Sequence, residues 1–407
     1  MNTCKCCDQS VTTLGKIDFI QVKEEPKKSL PNNEFSYSRC SHCNFIQSTT
    51  LDHWSFDQLK EFIYNEYYDR VDHGASLRIK RLSNFFSHIL RKYRSSLYML
   101  DYGSGSRRDF SKQLNKKGFN INSHDPFFDS SSAVLDKKYD IIFLFEVFEH
   151  HPQPLHLLAE LGKLLKENSV LLFSTELAPD DVELNWWYLN PRAGHISIYS
   201  QKALSHLLEQ EKLTYYYLGK GLHLGVKGRP EFATQLLTLA TQGSTLYRLN
   251  SFIDCASPYF YYAHINQGWA EQEPWGIWSA GYSADLKLSL LKKIKSDLFL
   301  NVTLSPHVHA KKPDLEVEIF INHKFLTKWV FNHGKAVTMT AKIPKRFLSG
   351  QSACAIQFKI PNAWAPNSLN SASTDDRLLG IGLRSMSIVN RWARMLYPLQ
   401  LFLKSDA

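Results

Sequence analysis

At 407 residues the chain exceeds what one ordinary core supports, so two or three domains are expected. Its 43% hydrophobic and 21% charged content fits a soluble globular protein, and no apolar run approaches the ~18–20 residues that span a bilayer. The net charge of +9 is uneven: residues 241–407 hold 19 Lys/Arg and 11 Asp/Glu, a net of +8, which leaves +1 for the first 240. That imbalance points to an acidic glycan, a nucleic acid or a membrane surface as a partner of the C-terminal half, or to a solvated lysine-rich face.

The chain opens with Cys4-Lys5-Cys6-Cys7 and returns to Cys40-Ser41-His42-Cys43. Two C-x2-C knuckles present four thiolates in a tetrahedron, the arrangement that suits structural zinc, so Cys4, Cys7, Cys40 and Cys43 are the expected ligands of a ribbon over 1–50. Cys6 reads as a spare or a substitute, His42 as a less favoured substitute, and Cys255 and Cys354 as packing residues. The start, Met1-Asn2-Thr3-Cys4, has no charged segment leading into an apolar stretch, so a cytoplasmic location is expected, where paired cysteines favour metal over disulfides.

Residues 51–95 form a helical lead-in, with apolar groups three to four residues apart over 57–64 and 76–86. Between these stretches, Tyr64-Asn65-Glu66-Tyr67-Tyr68 is an aromatic cluster without a core period, suited to packing or to closing over a ligand. Strands and helices then alternate over 96–240: strands at 97–101, 120–124, 139–145 and 170–174, helices at 106–117 and 154–165. Ile141-Ile142-Phe143-Leu144-Phe145 is apolar throughout, which predicts a parallel sheet covered on both faces. In such a sheet the ligand lies beyond the carboxyl ends of the strands. From about residue 250 the pattern changes to period two, at 286–290, 298–304, 315–321, 337–340 and 356–360, which predicts an antiparallel β-sandwich over 250–390. Its tryptophans, in Gly268–Ser279 and Pro361–Pro366, suit either sugar stacking or a sandwich core. The tail 391–407 is aromatic, apolar and basic, fit for the inner membrane face or for docking on its own protein.

The chemistry concentrates in four ordered pieces: Asp101-Tyr102-Gly103-Ser104-Gly105, Asp125-Pro126-Phe127, Tyr139-Asp140-Ile141-Ile142, and Glu146-Val147-Phe148-Glu149-His150. A fifth, Gly194-His195-Ile196-Ser197-Ile198-Tyr199-Ser200, follows. Together they resemble the class I S-adenosylmethionine-dependent methyltransferases over about 60–220, and with the cysteine ribbon they resemble bacterial enzymes that methylate nucleotide-linked sugars. The fold this implies is α/β: a Rossmann-like methyltransferase domain with an N-terminal zinc ribbon and a C-terminal antiparallel β-sandwich. The resemblance implies S-adenosylmethionine as cofactor, with Asp101, Gly103 and Gly105 at its methionine part. It also implies Asp125 at the ribose hydroxyls, Phe127 against adenine, and Phe145 and Glu146 bordering the methionyl side.

Where this family usually carries a third glycine, two residues after the second, the chain has Arg107, which could pair with the cofactor's carboxylate or mark a decayed site. His195 is a candidate general base or a structural hydrogen-bonder, and Glu149 and His150 are candidate acid–base groups or caps of the following helix. Trp186 and Trp187 could stack on sugar rings and Arg192 could meet a phosphate. The expected reaction is methyl transfer to a sugar, nucleotide-linked or within a surface polysaccharide, with O-methylation favoured over C-methylation. The alternatives are a non-catalytic glycan-binding protein on a decayed methyltransferase fold and a nucleic-acid methyltransferase; nucleic acid is disfavoured because the ribbon half is nearly neutral.

Overall fold

The computed structural model describes every residue except 1–2, 24, 26–29, 31–32, 72–74, 130–131, 291–293, 349–352, 370–372, 392 and 394–407. The basic aromatic tail anticipated at 391–407 therefore falls almost wholly outside the described residues. The chain divides into two compact units, 1–236 and 237–407.

The first unit begins with a small sheet built from β1 (Val11–Asp18), β2 (Glu34–Cys40) and β3 (Ile46–Ser48). Its fourth strand comes from far along the chain: β8 (Ser197–Ile198) pairs antiparallel with β3, Ile46 opposite Ile198 and Gln47 opposite Ser197. The cysteine segment is thus tied to the His195 segment by main-chain bonds. The lead-in supplies α1 (Phe56–Phe62), opened by a reciprocal Ser55–Gln58 capping box, and α2 (Ala75–Ile89).

The central sheet is ordered β5-β4-β6-β7-β10-β9. Strands β4 (Tyr98–Tyr102), β5 (Asn120–His124), β6 (Tyr139–Phe145) and β7 (Leu165–Ser174) are parallel. The hairpin β9 (Thr214–Gly219) and β10 (Leu222–Lys227) adds two antiparallel strands. Strand β6 shows why its sequence is apolar at every position. Its Phe143 and Phe145 rings pack on Phe86 of α2 and on Phe110 of α3 (Asp109–Lys116), at centroid distances of 4.9–5.8 Å. Its Ile142 and Leu144 share a core with leucines of α4 (Pro154–Leu164) and α5 (Gln201–Glu209). One face of the strand meets one pair of helices and the other face meets the other pair. Helix α3 starts three residues later than its periodicity suggests, because Arg108 adopts the left-handed conformation at φ 53° and holds the turn open until Asp109.

The second unit is a sandwich of two sheets. One contains β11 (Leu246–Tyr247), β15 (Ser283–Leu290), β17 (Leu315–Ile321), β18 (Lys324–Phe331) and β20 (Ala353–Lys359). The other contains β12 (Phe252–Asp254), β13 (Trp269–Glu273), β14 (Gly276–Ala280), β16 (Leu298–Pro306), β19 (Val337–Ile343) and β21 (Leu379–Val389). Pairing is antiparallel except between β11 and β15. Leu286, Ile319 and Ile356 of one sheet and Val302, Leu383 and Ile388 of the other close a single core. Trp329 and Trp364 are buried, and the indole of Trp364 stacks on His307 at 4.0 Å, so these two serve packing.

Candidate active site

The site grows from the carboxyl end of the parallel sheet. After β4 the chain reverses through Gly103 (φ 73°) and Gly105 (φ 62°). At Gly103 a Cβ would lie 2.4 Å from Val147 Cγ2, so only glycine fits both the backbone angle and the space. Asp101, at the end of β4, is buried and accepts a hydrogen bond from the Ser111 N–H at 3.2 Å. Burial pushes its carboxyl up to about 7, against the pull of Ser111 and with a further push from the charge of Asp125. Asp125 anchors the turn from the next strand. One of its oxygens accepts the Gly105 N–H at 2.8 Å and the other accepts the Phe127 N–H at 2.9 Å.

These residues border a cavity of about 700 Å³ that also reaches the lead-in and the turn after β6. Asp101, Gly103, Gly105, Asp125, Phe127, Phe145 and Glu146 all line it. A buried carboxylate beside a glycine turn, a second acid at the next strand end and an aromatic wall are a donor set that fits S-adenosylmethionine, whose ammonium and ribose hydroxyls seek carboxylates. Glu146 sits at φ 53°, where Ser174 Oγ donates to Oε1 at 2.5 Å and Arg78 lies 3.6 Å from Oε2. Phe127 has one face covered: Phe56 of α1 stacks on it at 4.6 Å and 11°, and Tyr64 meets it at 4.7 Å. Arg107 lines the cavity with its guanidinium 3.2 Å from Asp109, an ion pair within the turn's own segment.

Some of these groups were invisible in the sequence. Arg78, Ser174 and Phe56 carry no motif. Asp129 accepts the Asp125 N–H at 2.8 Å and pairs with Arg108, yet in sequence it is one more acid in a loop. Tyr64 and Tyr68, whose lack of a core period was the signal, do line the cavity.

Beside the cavity three candidates come together, of which His150 lines it and Glu149 and His195 lie behind the lining. Glu149, His150 and His195 each place one ligand-type atom within 4.8 Å of the others. Glu149 is fully buried and, among the described residues, neither of its oxygens meets a donor at hydrogen-bonding geometry. The expectation that Glu149 caps a helix is corrected: it lies in a separate turn, Phe148–His150, and α4 begins at Pro154 with Gln153 as its N-cap. Burial, then the nearby Glu146, hold the Glu149 carboxyl well above its ordinary range. His150 lines the cavity, with Nδ1 3.3 Å from the Gly194 carbonyl and Nε2 3.9 Å from Glu149 Oε1. Burial, then the neighbouring His195, lower its pKa to about 3, so the ring is neutral at pH 7. His195 points Nδ1 at the Tyr188 carbonyl at 2.8 Å, and its ring centre lies 5.0 Å from that of His150.

One other expectation is corrected. Arg192 is buried, its Nε and an Nη donating to Glu25 at 3.0 and 3.1 Å and the other Nη to the Ile63 carbonyl at 2.9 Å, so it is spent on structure and does not line the cavity. Trp187 is 68% exposed and, like Trp186, lies off the cavity lining.

The cysteines form a second centre. Sγ of Cys4 and Cys43 lie 3.6 Å apart, Cys7 and Cys40 3.6 Å, and Cys7 and Cys43 3.4 Å, with no disulfide among them. Four thiolates ~2.3 Å from a tetrahedral ion have edges of about 3.8 Å, so this donor set fits zinc closely. The N–H groups of Cys6, His42 and Cys43 point at the sulfurs from 3.4 Å. Cys6 stands apart, its thiol on the Ala203 carbonyl, and the exposed His42 is not among the four donors.

Residues 71–217 match the family model described as "Methyltransferase domain". No curated protein matches the chain. Among solved structures, magnesium protoporphyrin IX methyltransferase from Synechocystis PCC 6803 with bound SAH is 15% identical over 40% of this chain and 88% of its own, at a TM-score of 0.31. The Burkholderia thailandensis 1,6-didemethyltoxoflavin-N1-methyltransferase is 14% identical over 40% of this chain and 83% of its own, at 0.30. A CBM36-1 domain of a multidomain xylanase from the hindgut metagenome of Trinervitermes trinervoides is 9% identical over 34% of this chain and 96% of its own, at 0.24. TM-scores this low fix neither substrate nor mechanism. Residues 71–217 of the chain are a methyltransferase domain.

Proposed function

We propose that the chain methylates a hydroxyl of a sugar, either nucleotide-linked or within a surface polysaccharide. The observation that carries this reading is the meeting of two features on one cavity: the Asp101–Gly105 and Asp125 cradle, and His150 backed by Glu149 and His195. A sugar hydroxyl holds its proton far above pH 7, so its transfer needs both alignment and a proton acceptor. The sequence likeness to sugar methyltransferases and the fit of the four cysteines to zinc support this acceptor class.

Bound cofactor supplies a methyl group on a positively charged sulfur. Asp101 would hold its ammonium and Asp125 its ribose hydroxyls, while Glu146, fixed by Ser174 and Arg78, would border the methionyl end. Tyr64 and Tyr68 exclude water from the acceptor side. With Nδ1–H given to Gly194, the neutral His150 ring presents Nε2 to the acceptor proton, 3.9 Å from Glu149 Oε1. Zinc on Cys4, Cys7, Cys40 and Cys43 has a structural role, because all four positions are filled by protein.

The test is formation of S-adenosylhomocysteine against a panel of nucleotide sugars and oligosaccharides. Turnover with one class, reduced on the order of 100-fold or more in Glu149→Gln and His150→Gln at unchanged cofactor affinity, is the expected result. Turnover on nucleic acid but on no sugar overturns it.

A further inference from the structure

The structure places an unbroken set of contacts between the cysteine centre and the acid–base cluster. Residues 195–198 run between the ribbon sheet on one side and the Glu149 turn on the other. From the ribbon, the Tyr37 hydroxyl donates to the His195 carbonyl at 2.7 Å and the Ser48 N–H donates to the Ile196 carbonyl at 2.9 Å. Strand β3 pairs with β8 at Ile46–Ile198 and Gln47–Ser197, and Ser200 Oγ donates to the carbonyl of the metal-type ligand Cys43 at 2.6 Å. From the other side, the Ile196 N–H donates to the Glu149 carbonyl at 2.9 Å and Ser197 Oγ to the His151 carbonyl at 2.8 Å. Ile196 therefore bonds the ribbon with its carbonyl and the Glu149 turn with its amide.

We propose that Tyr37 is a positioning residue for His195, through which the cysteine-bound metal centre sets the geometry of the Glu149–His150–His195 cluster. The inference rests on His195 belonging to the reacting site, as argued above. Tyr37 has no access to the cavity: its ring is fully buried, beside Phe35 and Ile46 in the ribbon core, and its hydroxyl is directed at main chain. Its role differs from that of a generic buried phenol because of the carbonyl it holds. The His195 carbonyl fixes the peptide from which the imidazole projects, and that imidazole is held at its other end by the 2.8 Å contact of Nδ1 with the Tyr188 carbonyl and by packing on the Tyr188 and His150 rings. Removal of the Tyr37 hydroxyl leaves a buried carbonyl without its donor and frees the peptide to rotate. The cofactor cradle lies on other strands, β4 and β5, so cofactor binding is spared.

A matched control exists in the same unit. Tyr139 is also fully buried and also donates to a main-chain carbonyl, that of Val134, at the same 2.7 Å, but on the opposite end of β6. The experiment compares Tyr37→Phe with Tyr139→Phe in the full chain carrying 13C-labelled histidine, with the His195 ring resonance assigned by its loss in His195→Gln. In Tyr37→Phe the His195 resonance is expected to shift, while S-adenosylmethionine affinity by calorimetry stays within about twofold. With an active acceptor, turnover is expected to fall by on the order of ten- to a hundredfold without a matching rise in KM. Tyr139→Phe is expected to leave the His195 resonance and turnover in place. Stripping metal from the wild type with a chelator is expected to move the same resonance, and this arm decides the matter where Tyr37→Phe does not fold. An unmoved His195 resonance in both Tyr37→Phe and the stripped protein, or an equal movement in the two phenylalanine variants, overturns the proposal. A failure to methylate any sugar leaves the resonance result standing and counts instead against the proposed acceptor.

Discussion

Asp101 carries a cost that the cofactor can relieve. Its carboxyl titrates at about 7 in the folded chain against an ordinary 3.8, because burial disfavours its charge. The folded state therefore holds this proton more tightly than the unfolded state. The stabilisation is complete below about pH 4 and is lost as pH rises through about 7, an effect of up to ~4 kcal/mol for a shift of this size. Asp101→Asn is expected to flatten this part of the stability–pH curve and to raise the melting temperature at pH 8, measured by thermal unfolding across pH 5–8. An ammonium seated against Asp101 favours the charged form, so cofactor binding should release a proton near neutrality. Calorimetry in buffers of different ionisation enthalpy should detect that release. Affinity should weaken by about tenfold per pH unit below pH 7 in the wild type and by much less in Asp101→Asn.

At the scale of elements, the turn between β4 and α3 and the strand β6 explain what could and could not be read from the sequence. Gly103→Ala requires an alanine at φ 73° with its Cβ 2.4 Å from Val147 Cγ2. A loss of about 1–3 kcal/mol from the backbone alone, with further loss from the clash, is expected together with loss of cofactor binding; chemical denaturation and calorimetry check both. That glycine was legible because its constraint is local, and so was β6, whose unbroken apolar run reports burial on both faces. In β18 the pattern failed, because Phe325 and Val330 are exposed at 54% and 58% and break the alternation on which a strand is recognised. Strand β21 was obscured by Gly380 and Gly382, which are glycines because Ile360 and the Trp275 and Trp278 rings crowd their Cβ positions. The β9–β10 hairpin turns on Gly219-Lys220-Gly221, all three at positive φ, with a lysine where turn chemistry favours Asn or Gly. In the site, the residues named from the sequence that line the cavity are those in contiguous motifs. Arg78, Ser174, Asp129 and Tyr37 act through pairs separated in sequence, by 68 residues for Arg78–Glu146 and 158 for Tyr37–His195, and no local pattern announces such pairs.

For the whole molecule, charge and chain division together give a separable test. The second unit has its own core, drawn from both of its sheets, and its strands pair within the unit. The boundary at residue 236 falls inside the helix Thr234–Gln242, so a cut there would leave a broken helix on each fragment. A fragment beginning at Pro230, ahead of the short turn Glu231–Ala233 and that helix, keeps the element whole. This fragment is expected to unfold in one cooperative transition with the circular dichroism of a β protein. It also keeps nearly all of the positive charge: residues 241–407 carry a net +8 of the chain's +9. If that charge serves an anionic glycan, the fragment should bind a sulfated or uronic-acid polysaccharide with an affinity that falls steeply between 50 and 500 mM salt, since the Debye length shrinks well below ~10 Å over that range. A neutral polysaccharide should compete weakly or not at all. Salt-insensitive binding to the neutral glycan would instead assign recognition to aromatic stacking, with Tyr282, 57% exposed beside β15, the first residue to replace. A folded fragment that binds neither would identify the lysines as a solvated surface.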